Sequence, residues 1–181
     1  GAYAQLCESN GTEEDAKAWR RTAEEYAKRW LELAADGDHA ALAFGSKGTW
    51  SLKYNLAWDR VLGTKLFPPE VAAKEVAFYA TKLNRFGVPM DNRAAYTKPE
   101  WMVWAATLAE KREDFLRLVA PIATFARETP DRVPMSDWYM TDTGRDRGMH
   151  ARSVLGGLFM PLLQPVPAEP AKPLPKRWSK P

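Results

Sequence analysis

The sequence predicts an all-α domain built of helical hairpins, and three observations predict it. Apolar residues recur at helical spacing in most stretches long enough to show a period. The strict alternation that marks a half-buried strand is missing. Charged, one-sided helical stretches alternate with apolar ones, with short turns after the apolar stretches and long loops before them. In an up-and-down arrangement, that order gathers the long loops 36–49, 84–97 and 129–148 at one end, with apolar helices inside and charged ones outside. The expected architecture is an arc of (α/α) hairpins, inner helices buried and outer helices solvated. Residues 1–163 form the helical domain and 164–181 a proline-rich C-terminal tail.

Each element has a local reason. AYAQLCE (2–8) reads as a short apolar helix stopped by Asn10-Gly11. Thr12 caps the next helix, whose first turn holds Glu13, Glu14 and Asp15 where the helix dipole favours them. Ala16, Trp19, Ala23, Tyr26, Ala27, Trp30 and Ala34 then mark one face of a surface-lying helix. Residues 50–62 (WSLKYNLAWDRVL) are apolar on more than one face and read as a buried helix. Residues 70–83 are amphipathic, with Glu70, Lys74, Glu75 and Lys82 expected outward. A second buried helix is expected over 98–109, where Thr97 and Glu100 have the spacing of a capping box and Pro99 falls in the first turn. Residues 114–128 carry the stripe Phe115, Leu118, Val119, Ile122, Phe125, with Pro121 expected to kink the helix. Residues 149–163 read as a third apolar helix, in which Gly156-Gly157 would let a neighbour approach.

Composition narrows the function classes. The chain has 181 residues, 45% of them hydrophobic, enough for one domain with a sizeable core. Its 26 Lys and Arg barely exceed its 23 Asp and Glu, which is no nucleic-acid footprint. The single cysteine, Cys7, excludes an intramolecular disulfide and a cysteine-rich zinc site, and is expected in the core. His39 and His150 are too isolated for a metal triad, and Asp36-Gly37-Asp38 lacks the later ligands of a calcium loop, so no metal or other cofactor is expected. No apolar run reaches the roughly 18 residues of a membrane span, and no membrane partner is expected. The N-terminus enters a helical pattern at once, so no signal peptide is read there, and Gly1 inside that pattern is expected of a piece of a longer chain.

Asp91 and Asp137 are the leading catalytic candidates. Acid–base hydrolysis needs two groups whose pKa values are pushed apart, and two carboxylates in different surroundings supply that. Facing each other across a water-sized gap, they would also suit inversion at a sugar carbon. Both have plain structural readings too, Asp-Asn-Arg as a turn and Ser-Asp as a helix start. Arg93, Tyr96 and Lys98 are placed to hold a substrate carboxylate or hydroxyl, with Arg suited to bidentate pairing. Trp50, Trp138 and Tyr139 stand at loop edges as pocket walls, and Lys53 and Tyr54 reach toward the same mouth, although Tyr54 serves the core equally well. Asp59 is expected to pair with Arg60 as a buried ion. Ser51, Ser136 and Ser153 lack a nucleophile-elbow context.

Four segments, in order, resemble the central and C-terminal part of the glutaminase A family. They are GTWSLKYNLAWDRVLGTKLFP (48–68), GVPMDNRAAYTKPEWMVWAA (87–106), RVPMSDWYMTDTG (132–144) and ARSVLGGLF (151–159). The resemblance runs over residues 2–163 and implies a six-hairpin glycosidase-like helical toroid. It further implies a secreted or periplasmic multi-domain parent and hydrolysis of the side-chain amide of L-glutamine or a similar small polar substrate. A closed toroid needs about 350 residues, so this chain would be a partial arc whose open edges other segments or domains of the parent cover. The fold analogy leaves two alternatives: a glycoside-active enzyme acting on a saccharide, and a non-catalytic scaffold whose aromatic loops bind a glycan or a neighbouring domain.

Overall fold

The structure, a computed structural model, describes residues 1–131 and 133–164. Apart from Gln164, the expected proline-rich tail lies outside the described residues. The fold is mostly helical. Helices α1 (Ala2–Ser9) and α2 (Glu13–Ala34) form the first hairpin. Gly11 takes φ +75° in the turn between them, a conformation that costs glycine little. Thr12 does stand at the N-cap of α2, but its hydroxyl donates to Cys7 O at 3.1 Å and ties the turn to α1 instead of capping α2. Cys7 is buried, as expected. The small residues Ala16, Ala27 and Ala34 of the α2 stripe are buried, whereas Tyr26 and Trp19 stay exposed.

The chain then makes a two-residue hairpin, β1 (Ala35–Asp36) with β2 (His39–Ala40). The helix expected over 50–62 is shorter than its apolar pattern implies. It consists of a 3₁₀ turn (Tyr54–Leu56) followed by α3 (Ala57–Val61). Residues 50–52 are extended because the loop at 90–92 bonds them: Leu52 N donates to Met90 O at 2.8 Å, and Trp50 N to Asn92 Oδ1 at 3.0 Å. Those non-local bonds outweigh the local helical pattern.

α4 (Pro69–Thr81) and α6 (Arg112–Glu128) form as predicted, and α6 runs unbroken through Pro121. Glu75 is not outward but buried, on the same face as Ala72, Val76 and Tyr79. α5 (Pro99–Ala106) starts at Pro99 without the expected capping box. Thr97 belongs to β3 (Tyr96–Thr97), which pairs with β4 (Tyr139–Met140), and its buried hydroxyl has no partner among the described residues. The third apolar segment, Ser153–Leu163, is 3₁₀ and not α, with two glycines and Pro161 within it working against α-helix. It packs on α5. Trp104 Nε1 donates to Gly157 O at 3.0 Å, and a Cβ at Gly157 would lie 2.8 Å from Glu100 Cβ. At Gly156, the second glycine of the pair, no neighbour comes within 4 Å of a Cβ, so only Gly157 serves the expected close approach.

The main core joins Trp50 and Leu52 with Val76 and Tyr79 of α4, Met102, Val103 and Ala106 of α5, and Leu118 and Ile122 of α6. A second cluster, Phe86, Phe125 and Tyr139, fixes the late loops on α6. The loop 84–97 is bonded on both sides, to 50–52 and to 139–141, where Thr141 N donates to Ala95 O at 2.7 Å. The two later loops are therefore one structure, reached from the first through Trp50. Among the described residues, no helix is long and apolar enough to cross a membrane.

Candidate functional site

A buried ion cluster lies where these loops meet α5. Asp137 is fully buried, and its backbone N–H donates to Met149 O at 2.9 Å. Its Oδ1 accepts from Arg152 Nε at 3.0 Å, and its Oδ2 accepts from Arg152 Nη2 and, at 3.2 Å, from Lys98 Nζ. The Arg152 hydrogen bonds, which outweigh the opposing effect of burial and are helped by Lys98, hold the Asp137 carboxyl below the usual carboxylate value. Aromatic rings frame the cations. Lys98 Nζ lies 5.6 Å from the Trp101 ring centre and 5.9 Å from that of Trp138. The Arg147 guanidinium lies 5.0 Å from Trp138, whose ring meets Tyr96 edge-on at 5.6 Å.

Beside this cluster is Glu100, in the first turn of α5 and 3% exposed. Burial raises its carboxyl to about 7, with the charges of Lys98, Asp137 and Arg152 acting on it more weakly. Glu100 Oε2, Thr97 Oγ1 and Trp138 Nε1 are all buried without a partner among the described residues. An ionised aspartate and a glutamate titrating near neutrality are the two unlike carboxyl groups that acid–base chemistry needs. Sequence reasoning assigned Glu100 to a cap and missed Arg147 and Arg152. The available signal was a lone acid at the head of an apolar run, since Arg152 has no local pattern linking it to Asp137.

Asp91 has different company. Its Oδ1 accepts from Arg93 Nε and Arg93 N, both at 2.9 Å, and its Oδ2 from Arg93 Nη2 at 2.6 Å. Burial pushes its pKa up, but the hydrogen bonds and charge of Arg93 push harder, and the net direction is down. No hydrogen bond or ion pair joins Asp91 to Asp137 among the described residues.

The other predicted residues divide between walls and core. Tyr54 stacks on Trp101 with ring centres 4.2 Å apart. Trp50 is buried edge-on against Phe78. Tyr139 is a correction to the expected substrate wall. It is fully buried, stacked on Phe125 at 3.6 Å, and its hydroxyl donates to Phe86 O at 3.0 Å, so it packs the core. Asp59 is a second correction. It accepts from Thr64 Oγ1 at 2.5 Å and Leu66 N at 2.8 Å, shaping the 63–68 turn, while Arg60 donates to Thr107 O and Ala109 O. Lys53 Nζ donates to Ser51 Oγ at 2.7 Å, and burial lowers its pKa against the opposing charge of Glu75. A cavity of about 360 Å³ lies against these residues, with Trp30 and Phe67 in its wall. A larger one, about 750 Å³, lies between Asp59, Pro69 and Leu108 and includes none of the predicted site residues.

Helical hairpins carrying polar loops, with buried carboxyl groups at the head of one inner helix, define a mostly helical, hairpin-built domain. The family model described as "Glutaminase A six helical-hairpin domain" matches residues 1–162, and the chain belongs to that family. It is similar to Glutaminase A of Aspergillus oryzae, 35% identical over 170 residues, which is 90% of this chain and 24% of that protein. It is also similar to a protein of Arthroderma benhamiae named a probable glutaminase, 25% identical over 194 residues, covering 87% of this chain and 22% of the relative. The chain thus spans about a quarter of the length of these relatives. No solved structure matches it.

Proposed function

We propose that this chain is the helical domain of a glutaminase-type hydrolase that opens the side-chain amide of L-glutamine or a similar small polar substrate. The observation that carries the reading is the ion-paired Asp137 beside the buried Glu100, under the aromatic frame of Trp101 and Trp138. The names of the relatives support the substrate class. Lys98 and the half-exposed Arg152 offer cations for a substrate carboxylate, and Asp137 holds both in position. Glu100 is the better-matched proton carrier. As carboxylate it takes a proton from the water attacking the amide carbon, and as acid it returns one to the nitrogen that leaves as ammonia. Asp91 and Arg93 shape the loop beside this corner, and in this reading Asp91 is not the acid. The domain is read as one arc of an (α/α) six-hairpin toroid in a secreted or periplasmic parent. Other segments of that parent would cover apolar surface such as Phe159, Leu162 and Leu163.

The test is turnover of glutamine, against a panel of oligosaccharides, by the chain joined to its neighbouring domains. E100Q and D137N are each expected to lose at least about 100-fold in kcat, whereas D91N retains most of it. Wild-type rates in E100Q end the proton-carrier role. Product from an oligosaccharide and none from glutamine moves the reading to glycoside chemistry.

A further inference from the structure

We propose that Ser51 and Lys53 form a nucleophile–base pair for acyl transfer, facing the aromatic cavity walled by Trp30 and Phe67. The inference stands apart from the Asp137 corner and needs no part of it. It begins with the extended backbone of 50–52. In an extended chain, alternate side chains share a face, so Ser51 and Lys53 lie together while Leu52 turns into the core. The segment is pinned from both sides: Leu52 N to Met90 O at 2.8 Å, and Lys53 N to the Tyr79 hydroxyl at 2.8 Å. With the backbone fixed, Lys53 Nζ sits 2.7 Å from Ser51 Oγ, within reach for proton transfer. Both residues line the cavity of about 360 Å³, together with Tyr54 and Asn55.

The charge of a third group acts on the base and opposes loss of its proton. Glu75 is 2% exposed and accepts from Ala40 N at 2.6 Å, while its Oε2 has no partner among the described residues and its charge acts on Lys53. A nucleophile, a base in contact with it and a group biasing the base is the logic of activated hydroxyls, and serine–lysine pairs are one form of it. Burial of the ammonium lowers the Lys53 pKa and favours the neutral amine that a base must be. The cavity suits a small acyl group, as an ester or a primary amide. As Oγ bonds to the carbonyl carbon, the Lys53 amine takes the hydroxyl proton. The bond to the leaving oxygen or nitrogen breaks, and the Lys53 ammonium protonates that atom. Water then attacks the acyl-serine ester, giving a proton to Lys53, and the bond from carbon to Oγ breaks as Oγ takes that proton back.

The test is covalent labelling by a small fluorophosphonate, followed by intact mass and peptide mapping across pH. One adduct, on Ser51, is expected, forming faster as pH rises through a Lys53 pKa below the ordinary lysine value. S51A should abolish it. K53M and K53R should each slow it by at least about 100-fold, although K53R keeps the charge that a merely structural lysine would need. No wild-type adduct, an adduct mapped to another residue, or K53R labelling at the wild-type rate overturns the proposal. Mapping the wild-type adduct is decisive even if a variant misfolds. E100Q should label normally, so failure of the Asp137 reading is seen separately.

Discussion

Asp137 and Glu75 are both buried carboxyl groups on the inner side of the domain, yet their surroundings send them in opposite directions. Asp137 meets a guanidinium and an ammonium, and its pKa falls. Glu75 accepts from one backbone N–H, with no ion-pair partner within range among the described residues, and burial raises its pKa. Burial sets the cost of a charge in each place, and the number and charge of the donors decide whether that cost is met. The first surrounding fixes an anion as a structural anchor. The second leaves a group whose protonation can change.

The sharpest way to break this contrast is to neutralise each acid in turn. D137N leaves the largely buried Lys98 and the half-exposed Arg152 facing a neutral amide, and a loss of about 3 kcal/mol is expected in chemical denaturation. E75Q removes an anion that no cation holds and should cost clearly less. Equal losses would show that the two sites do not differ as described. The next effect concerns pH. Glu100 is raised from 4.5 to about 7 in the folded state, so between those values the native protein binds more protons than the unfolded one. Stability from this group is therefore present below pH 4.5 and is lost as pH rises toward 7, on the order of 3 kcal/mol in all. E100Q should flatten that window, and a slope left unchanged would assign it to other groups. Asp137 and Asp91, both lowered, act the other way: their contribution is present above the ordinary value of 3.8 and fades as pH falls through their folded values. The smallest effect expected is G157A. Its Cβ would meet Glu100 and Trp104, and about 1–2 kcal/mol of overpacking should appear as a lower Tm.

The parts of the fold legible in the sequence were those that local periodicity controls. α2, α4 and α6 form where their helical spacing places them, and Pro99 marks the start of α5. The misread parts are those that distant segments control. Trp50 and Leu52 look helical in sequence but are drawn straight by bonds to residues 90–92. Thr97 and Glu100 have capping spacing, but Thr97 is committed to a strand pair with the loop near 139. Glu75 sits among charged neighbours and was read as outward, although the spacing Ala72, Glu75, Val76, Tyr79 already placed it on the inner face. At the site, Asp137 and Lys98 were visible as chemistry-bearing loop residues. Arg152 and the neutralising burial of Glu100 were not, because both depend on the 3₁₀ segment closing over α5.

That closure has a consequence for the order in which the protein is made. Gly157, which receives the Trp104 indole hydrogen bond, lies 53 residues further along the chain. At ribosomal speed that separation is roughly three to ten seconds of synthesis. For that interval α5 has emerged without the segment that packs over Glu100 and accepts from the Trp104 indole. The 3₁₀ segment is thus the late-arriving cover of α5.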